Sequence, residues 1–79
     1  MINAKQIMDK LTWDPNMNGT KKIGYWDRVL NKIIYKDYSE ILSRDDFSFQ
    51  LMDEEGYTNS IPYHRLREVL HNDIVIWKR

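Results

Sequence analysis

The sequence predicts a small α+β fold: a strongly bent antiparallel sheet or small open barrel of about five strands, with an N-terminal helix and a short helix before the last strand. Three observations predict it. Apolar residues recur at helical spacing near the start, the period then falls towards two, and Gly, Asn, Asp and Pro punctuate the segments between. At 79 residues the chain is expected to form a single domain, 1–79, that buries about 60–65% of its unfolded surface on folding. It has no cysteine, so stability must come from a core to which three Trp, five Tyr and two Phe contribute.

Residues 3–11 carry the helix signal. Asn3 and Gln6 fit a capping box, Ile2 and Ile7 a hydrophobic staple, and Ala4, Ile7, Met8 and Leu11 share one face. "TWDP" stops the helix, because a proline disfavours helical backbone in the residue before it. "KIGYWDRV" and "KIIYKDY" are rich in β-branched and aromatic residues and read as a hairpin, leading into one helical turn at "YSEIL". "FSFQL" alternates, with Phe47, Phe49 and Leu51 expected on one face, and returns through "DEEG" into the partner strand "YTNSI". "PYHRLREVL" places Pro62 at a first helical position with Tyr63, Leu66 and Leu70 on one face. "IVIWKR" reads as the closing strand, Ile74 and Ile76 opposite Val75 and Trp77.

Charge narrows the function classes. Twelve Lys and Arg balance twelve Asp and Glu, whereas a protein that coats long duplexes needs a basic surplus to release counterions. A neutral domain can still hold one or two phosphates where a few cations converge. The longest apolar run, Ile74 to Trp77, falls far short of the roughly 18 residues of a membrane span, and the N-terminus lacks a signal-peptide layout. We expect a soluble, cytoplasmic monomer without a membrane segment.

The chemistry-bearing candidates gather around "PYHRL". A helix starting at Pro62 would present free N–H groups and a partial positive charge to an anion, with His64 and Arg65 on its first turn. Arginine offers a planar fork for phosphate oxygens and histidine a further donor. The alternative is that His64 satisfies a neighbouring carbonyl and Arg65 pairs with a surface carboxylate. Asp27 and Arg28 are adjacent on a strand and face opposite sides unless a bulge intervenes. Trp13 and Tyr25 border these segments and could stack on unpaired bases, although most aromatic rings in so small a domain must be core. His64 and His71 lack the spacing of a zinc site, and no Walker loop, G-x-G-x-x-G or G-x-S-x-G is present. A general acid–base pair could be assembled from His64 and Asp27, but no spacing demands it.

Taken together, "LTWDP" after the first helix, "YWDR" on an early strand, "IPYHRL" and the final "IVIWKR" resemble the small archaeal proteins of the RNA cyclic group end recognition domain family. The resemblance runs from the first helix to the last residue. One departure is Asn72-Asp73 before the last strand, where glycine is expected in many members. The resemblance implies a binding module for RNA ends bearing a 2′,3′-cyclic phosphate or related group, or for small phosphate ligands, with no cofactor, metal or catalytic residue. It places Arg28, His64 and Arg65 on phosphate, framed or supported by Trp13, Asp14, Tyr25, Asp27, Trp77 and Arg79. Two-histidine phosphoesterases use paired H-x-T or H-x-S motifs; here the histidines begin "HRL" and "HND". The alternatives are an RNA-end hydrolase or transferase using His64 with Asp27, and a protein-interaction domain whose motifs only hold the fold.

Overall fold

The computed structural model describes residues 2–79. Helix α1 (Ala4–Trp13) opens with the expected capping box: the Asn3 side chain accepts from the Gln6 N–H, and the Gln6 side chain accepts from that of Asn3. Seven strands follow in chain order: β1 (Lys21–Asp27), β2 (Lys32–Asp37), β3 (Ile41–Arg44), β4 (Ser48–Met52), β5 (Thr58–Pro62), β6 (Leu66–His71) and β7 (Ile74–Lys78). They form two antiparallel sheets, ordered β2-β1-β6-β7 and β3-β4-β5, and neither closes into a barrel. The α+β class therefore holds, with two more strands than the expected five.

The additional strands come partly from a corrected helix. "PYHRLREVL" is a short 3-10 turn, Tyr63–Arg65, followed by strand β6. Pro62 has extended backbone (φ −62°, ψ 144°) and Leu66 resumes it (φ −65°, ψ 131°), so no α-helix starts there. The helical spacing has a tertiary origin. Leu66 pairs with Tyr25 and Val69 with Ile23, three residues on β6 against two on β1, because a bulge at Arg67 interrupts the register. Inserting one residue brings i and i+3 to the same face of a strand, which imitates a helical stripe. The anion site expected at a helix N-terminus disappears with that helix.

A second bulge sits between β6 and β7, where Val69 faces Trp77 and Leu70 faces Val75. The strict alternation expected across residues 74–77 is broken at Ile76, and of these four only Trp77 is buried. The turn without glycine is accommodated: Asn72 (φ 52°) and Asp73 (φ 66°) both adopt left-handed backbone between paired His71 and Ile74. Two such residues make the primed hairpin turn that matches strand twist, and Asn and Asp tolerate it best after glycine.

The core lies between α1 and the two sheets. Ile7, Met8 and Leu11 of α1 meet Ile23, Phe49, Leu51, Leu66, Val69 and Trp77, all buried. Phe49 is the central ring, edge-on to Tyr25 with centroids 6.2 Å apart and tilted against Tyr63 at 6.0 Å. Such pairs add about 0.5–1.5 kcal/mol beyond area burial. Phe47, expected on the same inner face, is 81% exposed because it precedes β4. The Asp45 carboxylate accepts from the N–H groups of Phe47 and Ser48, turning the chain before the strand begins. Arg44 ties α1 to β3, reaching Asp9 at 3.0 Å, the Thr12 hydroxyl at 3.1 Å and the Tyr63 hydroxyl at 3.3 Å. Among the described residues, no helix is long and apolar enough to cross a membrane.

Candidate nucleic-acid interface

Where the two sheets part, a cleft of about 810 Å³ opens between the β1–β2 end of one and the β4–β5 hairpin of the other. Its lining includes Arg28, Lys36 and Arg65, with Glu54 and Glu55 on the β4–β5 hairpin. The turn after β1 presents Arg28. Asp27 closes that turn, its Oδ1 accepting from the N–H groups of Val29 and Leu30 at 2.9 and 3.0 Å while its carbonyl accepts from Asn31. Arg28 has thus left the strand, so Asp27 and Arg28 line one cleft despite their adjacency. No bulge is needed there.

Lys36 enters from edge strand β2, paired with Ile23 and therefore on the inward face. Arg65 comes from the opposite direction, on the Tyr63–Arg65 turn. Among the described residues, the charged ends of Arg28, Lys36 and Arg65 make no hydrogen bond or ion pair, whereas Arg44, Arg67 and Arg79 are all engaged. Arg28, Lys36 and Arg65 share the cleft with four carboxylates, of which Asp27 and Asp53 are bound to their own turns while Glu54 and Glu55 are not.

Tyr25 forms part of the cleft lining and is only 8% exposed. Among the described residues its hydroxyl bonds to no protein group and no buried side-chain polar atom lacks a partner, so that hydroxyl keeps contact with solvent. Burial, then the charges of Asp27 and Glu40, push its ionisation above the ordinary 10.0. It stays protonated and available as a donor. Asp53, which precedes Glu54 in the hairpin, is occupied by the backbone N–H groups of Tyr57 and Glu55 and by the Asn59 side chain. The hydrogen bond from Tyr57 is the largest influence holding its carboxyl below the usual range.

His64 does not join Arg65. It lines a second recess of about 350 Å³ with Lys5, Asp46, Phe47 and Arg79, so the adjacent pair faces two sides of the turn. Asp27, the acid–base partner in the alternative reading, lines the first cleft and is bound to its own turn. The His64 carbonyl accepts from Arg67 at 2.6 Å and from Arg79 at 2.5 Å, and the Arg79 guanidinium lies 5.6 Å from the Trp77 ring centre. Trp77 itself is buried and donates its indole N–H to the Ile2 carbonyl at 3.0 Å. Trp13 is 79% exposed at the end of α1 and lines neither recess, and Asp14 caps the following loop by accepting from Asn16.

Sequence reasoning missed Lys36 and Phe47. Lys36 had a usable signal, since strict alternation from Ile34 puts it on the inner face of the strand, where an unpaired ammonium calls for a reason. Phe47 had none: only the Asp45 turn excludes it from the strand.

The sequence model described as the MJ1316 RNA cyclic group end recognition domain matches residues 1–79 of the chain. No curated protein and no solved structure matches it.

Proposed function

The chain belongs to the MJ1316 RNA cyclic group end recognition domain family, and from that premise we propose that residues 1–79 act as one binding module for RNA ends carrying a 2′,3′-cyclic phosphate. The phosphate sits on Arg28 and Arg65, with Lys36 adding charge and the Tyr25 hydroxyl donating a further hydrogen bond. The observation that carries this reading is that three cations and one phenol, without hydrogen-bond or ion-pair partners among the described residues, line a single cleft. Glu54 and Glu55 on the hairpin repel phosphate from their side and accept from ribose hydroxyls or base N–H groups, which orients the end. Asp27 supports the site by holding the turn that projects Arg28.

The zero net charge supports end recognition over coating. A terminus offers one concentrated anion to a local site, whereas binding along a strand needs cations spread over a surface. The test compares one short RNA in two forms, ending in 2′,3′-cyclic phosphate or in free hydroxyls, by isothermal titration. Tighter binding of the cyclic form is expected. Equal affinity for both ends overturns the reading.

A further inference from the structure

Phe47 is a large apolar ring left 81% exposed in a segment whose backbone is held from both sides. Its N–H donates to Asp45 Oδ1 at 2.7 Å and its carbonyl accepts from the Tyr63 N–H at 3.0 Å. The ring therefore stands in water on a fixed backbone, beside His64 and Arg79 in the second recess. Arg79 is itself oriented by the His64 carbonyl and the Trp77 ring. Lys5 adds an ammonium, 3.2 Å from Asp9 and 4.0 Å from Asp46, the one carboxylate of the recess among the described residues.

We propose that this recess is a subsite for the nucleotide preceding the RNA end, its base stacked on Phe47 and its phosphate held by His64 and Arg79. The inference rests on the end-binding reading and extends it across the Tyr63–Arg65 turn. His64 and Arg65 have Cα atoms about 3.8 Å apart and line different recesses, so both recesses adjoin one turn, within reach of a strand longer than one nucleotide. An aromatic face beside cations is the arrangement that binds single strands without reading their sequence. The ligand is then an RNA of at least two nucleotides, with a cyclic mononucleotide filling only the first cleft.

The experiment measures, by isothermal titration, a nucleoside 2′,3′-cyclic monophosphate and a dinucleotide and trinucleotide with the same end. The added nucleotide should tighten binding about 5- to 150-fold, the range for one base on an aromatic ring. Phe47→Ala should erase most of that gain and leave mononucleotide affinity unchanged, Phe47→Trp should keep the gain, and His64→Ala should reduce it. Affinity independent of length overturns the subsite and leaves the end site standing. So does an equal loss for mononucleotide and dinucleotide in Phe47→Ala. A length gain that requires Phe47 but is the same for cyclic and hydroxyl ends supports the subsite and overturns the end-binding reading.

Discussion

Arg65→Ala separates recognition from folding because this side chain lines the cleft and has no internal partner among the described residues. Arg65 is partly buried at the cleft and makes no hydrogen bond or ion pair among the described residues. Its removal leaves no group unsatisfied. The fold loses only the packing of an aliphatic stem, about 0.5 kcal/mol or less. In a domain of this size 1 kcal/mol moves Tm by roughly 4–8 °C, so the melting temperature should fall by no more than about 4 °C. A charge-assisted hydrogen bond to phosphate contributes about 1.5–3 kcal/mol, which raises Kd by roughly 10- to 150-fold when it is lost. Titration of an RNA ending in 2′,3′-cyclic phosphate reads the second number and a thermal melt the first. Arg65→Lys should recover only part of the affinity, since an ammonium lacks the planar fork. With three cations in the cleft, log K should fall with log salt at a slope no steeper than about −2 for a single strand. Unchanged affinity, or a Tm loss above about 8 °C, would refute the reasoning.

Two predictions concern the fold beneath the site. A Cβ added at Gly24 would stand 2.8 Å from Tyr35 Cε1 and 3.1 Å from Ile33 Cγ2, so Gly24→Ala must displace the ring whose hydroxyl donates to Glu68 at 2.7 Å. We expect a loss of about 1–2 kcal/mol, or roughly 5–15 °C in Tm, and a smaller loss when the substitution is made in Tyr35→Ala. Acid should also destabilise the protein. Burial raises the Asp9 carboxyl, but hydrogen bonds from Arg44 and Lys5 outweigh it and hold the group below the ordinary 3.8. A depressed carboxyl contributes stability above its unfolded pKa and loses it as pH falls through its folded one. Melts between about pH 5 and pH 2 should show this decline, and Asp9→Asn should make the decline shallower while lowering Tm at neutral pH; an unaltered acid limb in the variant would contradict the assignment.

The site was only partly legible before the fold was known. Arg28 and Arg65 were identifiable as cations beside turn and proline signals, and Tyr25 as an aromatic bordering them; all three line one cleft. Trp13, Asp14 and Trp77 carry the family resemblance but line neither recess, and their motifs serve the helix end, the loop cap and the core. The expected partnership of His64 with Arg65 failed for a geometric reason. Neighbours on a tight 3-10 turn diverge, and here a recess lies on each side of it.

Short-range patterns determined what depends on short-range physics. The Asn3 capping box, the α1 stripe, the β1–β2 and β4–β5 hairpins and the 3-10 turn after β2 follow from capping, periodicity and turn chemistry within a few residues. Only tertiary structure decided that residues 66–71 form a strand, because a bulge opposite β1 converts a spacing of three into one face of a sheet. It also decided which cations share a cleft. Strand pairing between distant segments sets the bulges and the gap between the sheets, and that energy comes from contacts no local window of residues contains.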